Sequence, residues 1–136
     1  FMAARAQITT EVILPALEAG KLVICDRFTD STIAYQGYGR GLDIQFMQSI
    51  NRYATRGNIP GLTFILDINY MLSQNRRIEQ DNDRMESSGS DFLKRVRNGY
   101  CEITKTGPQY RLIDGSKTPQ EVFNKIWNIL SETYGI

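Results

Sequence analysis

The sequence predicts an α/β fold in which a parallel sheet is flanked by helices on both faces. Short apolar runs typical of strands occur at Leu22–Cys25, Leu62–Asp67 and Tyr110–Ile113. The stretches between them carry apolar residues at helical spacing, and strands that alternate with helices favour parallel pairing. At 136 residues the chain is long enough for one domain with a single core.

Residues 1–19 are predicted to form a helix. Pro15 should kink it, because proline has no N–H to donate to the preceding turn. Gly20 is expected to cap its C-terminus. The apolar stripe of this helix is expected at Ile8, Val12 and Leu17.

The first strand carries the main functional signal of the sequence. Leu22–Cys25 is rich in β-branched residues, which predicts a strand buried on both faces, yet it runs directly into Asp26 and Arg27. In open α/β sheets, ligands bind beyond the carboxyl ends of the strands. A carboxylate beside a guanidinium can hold a metal-linked or anionic substrate there. A surface ion pair that closes the strand is the alternative, and both remain open at this point.

The segment after Arg27 is expected to form a short helix through Tyr35, capped by Asp30 or Ser31. Glycines then alternate over residues 37–41, which predicts a loop whose backbone lies close to another group.

Later helices are predicted from their first turns. Asp43 should cap a helix that reaches Gly57, Ser90 should cap another, and Thr118 with Glu121 forms a capping box for the last. The apolar stripe of the helix after Asp43 is expected at Ile44, Met47, Ile50 and Ala54.

A polar, charged stretch interrupts the helical pattern at residues 78–90, after a predicted helix at 71–77, and is expected to be a mobile loop. Arg84 lies within this stretch, and Arg76 and Arg77 directly precede it. Guanidinium forks match phosphate oxygens and keep their charge at any working pH, so these arginines suit a lid over phosphates. A solvated charge run is the ordinary alternative.

Composition excludes several classes of chemistry. The sequence has no histidine, which removes Ser-His-Asp catalysis and histidine zinc sites from this chain. The net charge of +1 gives no attraction to nucleic acid or a membrane surface, and no apolar run approaches the ~20 residues of a membrane span. Two cysteines without motif spacing suit a reducing, cytoplasmic setting.

Six segments together resemble the thymidylate kinases, a family of P-loop nucleoside monophosphate kinases, and more closely the bacterial form. They are FMAARAQ, VICDRF, STIAYQGYGRGLD, LTFILD, DRMES and LIDGSKTPQEV, in this order over nearly the whole chain. The resemblance implies a three-layer P-loop kinase fold. Residues 1–136 would be the C-terminal part of one such domain, with a lid-like loop at about 76–90. The G-x-x-x-x-G-K-[ST] loop does not occur in the sequence, and it and the first strands are expected before Phe1.

The resemblance also implies roles for single residues on the acceptor side. Phe1 would stack on thymine, Arg5 would bond a thymine carbonyl, and Arg27 would bind the acceptor phosphate. Asp26 would lie beside Mg²⁺ and the reacting phosphates. Substrate contacts near the deoxyribose and base are implied for Thr32, Tyr35 and Gln36.

On the ATP side, the resemblance implies that Arg76, Arg77 and Arg84 are lid arginines that assist catalysis, and that Ser116 and Lys117 belong to an adenine-side loop. The implied activity is transfer of the ATP γ-phosphate to dTMP, giving dTDP, with ATP and Mg²⁺, in a cytoplasmic homodimer without nucleic-acid or membrane partners.

Two alternatives to the thymidylate kinase interpretation remain. One is a deoxynucleoside kinase or another nucleotide kinase of the same fold. The other is a catalytically silent interaction module, dimerising through residues 1–19 and 43–57, if these 136 residues are the whole protein. The 136 residues alone are predicted not to turn over ATP.

Overall fold

The structure, a computed structural model, describes residues 1–69 and 89–136. Within these ranges the chain forms α-helices, two π-helical segments and two strands. The helices are α1 (Met2–Ile8), α2 (Leu14–Glu18), α3 (Thr29–Thr32), α4 (Ile44–Ala54), α5 (Ser90–Ile103) and α6 (Pro119–Tyr134). The π-helical segments are Thr9–Ile13 and Ile33–Gly39, and the strands are β1 (Thr63–Asp67) and β2 (Tyr110–Asp114).

The two strands pair in parallel, which confirms the predicted α/β class. Ile65 lies opposite Leu112 in the register, and Asp67 lies opposite Asp114. A parallel pair needs a crossover connection, and α5 belongs to the stretch of chain between the strands. Ile65 packs into a buried apolar cluster with α5 and the second π-helical segment, formed by Ile33, Ala34, Ile65, Val96 and Ile103.

The strand predicted at Leu22–Cys25 is wrong for this structure. Residues 21–25 have no regular secondary structure, Ile24 is 84% exposed and Cys25 is exposed. A buried parallel strand depends on neighbouring strands for its hydrogen bonds. The sheet of the described residues contains β1 and β2 alone, and neither pairs with this segment.

The first helix is irregular next to Pro15, as predicted. It leaves α-geometry over Thr9–Ile13, directly before the proline, whose missing N–H removes a bond from the helical ladder. The predicted apolar stripe is wrong, because Thr9 and Ile13 are the buried residues and Ile8, Val12 and Leu17 are exposed. The i→i+5 bonding of a π turn changes which side chains share a face. Gly20, at φ +72°, ends the helix and donates its N–H to the Leu17 carbonyl.

The glycine-rich segment is helical through Gly39, so the predicted loop at 37–41 is corrected to a short stretch around Gly41. Here glycine permits a close helix crossing. A Cβ at Gly39 would lie 2.7 Å from the Phe92 ring, and a Cβ at Gly99 would lie 2.7 Å from the Tyr38 side chain. At each of these two glycines, the backbone of one helix is therefore packed closely against a side chain of the other.

Two of the four predicted N-caps are confirmed. The Asp43 carboxylate accepts from the Phe46 N–H at 2.6 Å, and Thr118 forms its capping box with Glu121. The helix after Asp43 ends at Ala54 rather than at Gly57, and buries Met47, Asn51 and Ala54.

The other two caps are corrected. The residue at the N-cap of α3 is Phe28, which makes no side-chain cap. The Asp30 side chain is hydrogen-bonded to Tyr110, and the Ser31 side chain is hydrogen-bonded to Tyr100. Gly89 precedes α5, whose first residue is Ser90. The predicted helix at 71–77 and the predicted loop as far as residue 88 lie outside the described residues.

No helix in the described part of the chain has the length and apolar character needed to cross a membrane.

Candidate functional site

A cavity of about 380 Å³ lies between the first helix and residues 24–28. Its lining includes Phe1, Arg5, Asp26 and Arg27, together with Phe28. These residues come from two separate stretches of the sequence. The family resemblance implied that Phe1 and the two arginines bind the acceptor nucleotide and that Asp26 lies beside Mg²⁺ and the reacting phosphates. The structure therefore brings together the predicted aromatic residue, both predicted arginines and the predicted carboxylate.

Arg5 is anchored at one edge of this cavity. Its Nη1 donates to Asn51 Oδ1 at 2.7 Å, its Nη2 donates to the Phe28 carbonyl at 2.9 Å, and its guanidinium lies 5.5 Å from the centre of the Phe28 ring. Burial lowers the pKa of Arg5, but a guanidinium stays protonated in proteins. It carries more N–H donors than these oxygen contacts use, so Arg5 can still donate to a ligand carbonyl.

Asn51 is a site residue that the sequence analysis missed. It is 3% exposed, accepts from Arg5, and donates from Nδ2 to the Thr29 carbonyl at 3.2 Å. Its amide thus joins α1, α3 and α4. A signal was present in the sequence, because Asn51 stands on the apolar face of α4 with Met47 and Ala54, where a buried amide needs partners.

Arg27 has an unusual backbone and a supported side chain. Its φ of +61° is left-handed, which costs a non-glycine residue about 1 kcal/mol. Its guanidinium lies 4.8 Å from the centre of the Tyr35 ring, and its Nε donates to Ser31 Oγ at 3.3 Å. The Ser31 contact uses Nε and leaves the terminal NH₂ groups, which are the donors that bind phosphate oxygens.

Asp26 precedes Arg27, is exposed, and lines the same cavity. Mg²⁺ in nucleotide enzymes takes one or two carboxylates and fills its remaining positions with phosphates and water. Asp26 fits that requirement as a single protein ligand. No cluster of three or more Asp, Glu, Cys or His ligands occurs among residues 1–69 and 89–136, so a self-contained metal cage is not part of what the structure describes.

The other predicted substrate residues lie on α3 and the second π-helical segment. Tyr35 is half-buried, touches Arg27, and packs edge-on against Phe92 and Tyr100 with ring centres 6.1 and 6.4 Å apart. Thr32 is buried at 6% exposure, and Gln36 is half-buried. Thr32, Tyr35 and Gln36 are not among the residues that line the cavity.

None of the predicted ATP-side residues that the structure describes lines the cavity. Ser116 and Lys117 are exposed in the turn after β2 and do not line it. Hydrogen bonds from the Ser116 hydroxyl and backbone N–H hold the Asp114 carboxylate and lower its pKa, which fixes the turn. Arg76, Arg77 and Arg84, and most of the predicted lid at 76–90, lie outside the described residues.

The sequence analysis also missed a contact between Tyr110 and Asp30, whose carboxylate is influenced by the charge of Arg5. The Tyr110 hydroxyl donates to Asp30 Oδ1 at 3.1 Å, which ties α3 to β2. Burial raises the pKa of Asp30, while this hydrogen bond and the charge of Arg5 act in the opposite direction. Burial and the neighbouring Asp30 raise the pKa of Tyr110 to about 12, so Tyr110 keeps its proton at neutral pH. Nothing in the local sequence distinguishes Asp30 in this role from an ordinary helix cap.

Comparison with known proteins gives one consistent family. The sequence model described as thymidylate kinase matches residues 1–126. A thymidylate kinase of Kosmotoga olearia is 46% identical over 128 residues, covering 93% of this chain and 62% of that protein. One from Desulfovibrio desulfuricans is 47% identical over 131 residues, covering 90% and 60%. One from Thermosipho melanesiensis is 42% identical over 130 residues, covering 96% and 65%.

The chain thus spans about three-fifths of the length of these curated relatives. The family model covers most of the chain, and the parallel sheet with packed helices agrees with part of the P-loop fold of that family. The chain belongs to the thymidylate kinase family.

Proposed function

We propose that the protein containing this chain transfers the γ-phosphate of ATP to dTMP, giving dTDP and ADP. The observation that carries the proposal is the shared cavity of Phe1, Arg5, Asp26 and Arg27. In this cavity an aromatic ring and a donor could hold a base, while the guanidinium beside them could bind phosphate and the carboxylate could bind Mg²⁺. Relatives at 42–47% identity are named thymidylate kinases, which supports the same substrate.

The base end of the cavity is suited to thymine. Phe1 is 88% exposed, so its ring is available for stacking. Arg5 can only donate, and the O4 of thymine is an acceptor, whereas cytosine carries an amino donor at the corresponding position. Two donors facing each other would leave both unpaired in a half-buried site, which disfavours dCMP.

The phosphate end is suited to charge neutralisation and positioning. Phosphoryl transfer needs little covalent chemistry from the protein and depends on holding both phosphates in line while charge spreads over their oxygens. Arg27 would bind the acceptor phosphate through its terminal NH₂ groups. Magnesium would supply further neutralisation when bound, with Asp26 as its protein ligand. None of these roles requires the histidine that the sequence lacks.

The remaining roles are proposed from the family resemblance. Thr32, Tyr35 and Gln36 would contact the sugar and base. On the ATP side, the proposed lid arginines are Arg76, Arg77 and Arg84, in the predicted lid-like loop at about 76–90. The proposed adenine-side loop is the turn after β2, with Ser116 and Lys117.

We also propose a cytoplasmic homodimer with no nucleic-acid or membrane partner. Apolar side chains support pairing with a second copy through α4, where Phe46 is 60% exposed and Tyr53 is 88% exposed. The net charge of +1 gives no attraction to a polyanion.

Coupled turnover of the full gene product tests the proposed substrate. With ATP and Mg²⁺, we expect kcat/KM for dTMP to exceed that for dCMP and dGMP by about tenfold or more, because one well-made base contact contributes about 1–3 kcal/mol of discrimination. Thymidine and dUMP complete the panel. Equal turnover of all monophosphates would contradict the proposal, and faster turnover of thymidine than of dTMP would indicate a deoxynucleoside kinase.

A further inference from the structure

Tyr100 on α5 reaches Arg27 by two routes. Its hydroxyl lies 2.8 Å from Ser31 Oγ, and the same oxygen accepts from Arg27 Nε at 3.3 Å. Its ring packs edge-on against Tyr35 at 6.4 Å, and the Arg27 guanidinium lies over the Tyr35 ring at 4.8 Å. Tyr100 therefore contacts two residues, Ser31 and Tyr35, that each contact the Arg27 side chain.

We propose that Ser31 and Tyr100 are positioning residues that hold the Arg27 guanidinium in place for the acceptor phosphate. This inference rests on the proposed role of Arg27 as the phosphate ligand. It extends the site to α5, which lies beyond the cavity-lining residues.

The physical need for such support follows from the exposure of Arg27. An exposed arginine samples many rotamers, and ordering it on binding costs conformational entropy. Contacts that order the guanidinium before the ligand arrives remove part of that cost. The Nε contact suits this purpose, since it fixes the plane of the fork and uses none of the terminal donors.

The hydroxyl pair is built to persist at working pH. Ser31 Oγ can accept from Arg27 Nε and still share one proton with Tyr100. Burial raises the pKa of Tyr100, so its hydroxyl remains protonated at neutral pH. Tyr100 is half-buried, and so the pair is partly shielded from competing water.

Equilibrium binding of dTMP and of thymidine to the full gene product tests the proposal. Tyr100→Phe removes the hydroxyl and keeps the ring, and Ser31→Ala removes the shared oxygen. We expect each to weaken dTMP binding about three- to tenfold, as the loss of one hydrogen bond predicts. Thymidine, which has no phosphate, should bind within about twofold of wild type. In an Arg27→Ala background, Tyr100→Phe should have no further effect on dTMP.

Tyr134→Phe is the matched control, since it removes the same atom from an exposed tyrosine in the last turn of α6 and should change neither affinity. Equal losses for dTMP and thymidine, or a loss that persists without Arg27, would overturn the positioning role.

Nucleotide binding to the wild-type protein tests the proposed function separately. Tighter binding of dCMP or dGMP than of dTMP would contradict the proposed substrate, and the variants would then be judged with that nucleotide and its nucleoside.

Discussion

Replacing Arg27 with alanine is expected to lower kcat/KM for dTMP about a thousandfold. Removing one preorganised donor from a charged transition state typically costs about 10²–10³ in rate, and here a full positive charge is lost as well. Arg27 lines the cavity, and its contact with Ser31 uses Nε and leaves the terminal NH₂ groups for a ligand. Steady-state kinetics on the full gene product, with dTMP varied at saturating ATP, would measure the loss.

Two comparisons make this result specific. Arg27→Lys keeps the charge and loses the planar fork, so it should fall between wild type and Arg27→Ala. Arg111→Ala removes an exposed arginine on β2 that donates to the Pro108 carbonyl, and it should stay within about twofold of wild type. Near-normal turnover of dTMP by Arg27→Ala would refute the phosphate-binding role.

Replacing Gly99 with alanine is expected to destabilise the protein by about 2–3 kcal/mol. Within a helix this change normally stabilises by up to about 1 kcal/mol. Here the new Cβ would lie 2.7 Å from both Cβ and Cγ of Tyr38, and the Tyr38 Cβ cannot move without its backbone. Overpacking of a tight contact costs about 1–3 kcal/mol or more and reverses the sign. The midpoint of denaturant unfolding would report it.

Gly107→Ala is the matched control for this clash. A Cβ there would meet the amide end of the Gln109 side chain, which can rotate away, so little change in the midpoint is expected. If Gly99→Ala were as stable as wild type, the close crossing between α5 and the second π-helical segment would be wrong. The position of Tyr100 relative to Ser31 depends on that crossing.

Sequence reasoning succeeded where a local pattern decides the structure. The capping box of Thr118 and Glu121, the Asp43 cap and the parallel pair β1–β2 follow from side-chain chemistry and apolar spacing alone. It also anticipated that Phe1, Arg5, Asp26 and Arg27 would meet, although this came from family resemblance and not from spacing.

It failed where distant packing overrides the local signal. Leu22–Cys25 has strand composition, but composition cannot supply a neighbouring strand. Glycines at 37 and 39 predict a loop by propensity, yet Gly39 permits the helix crossing that buries Val96. Asp30 and Ser31 have side chains that commonly cap helices, so the local sequence predicts caps. Their actual partners, Tyr110 and Tyr100, are about 70–80 residues away in sequence and cannot be inferred from it.

A crystal structure of the full gene product with dTMP bound would show whether Arg27 holds the acceptor phosphate. We expect phosphate oxygens within about 3 Å of the terminal NH₂ groups of Arg27, with thymine against Phe1 and a thymine carbonyl accepting from Arg5. A dTMP phosphate bound elsewhere, without contact to Arg27, would rule out the proposed site.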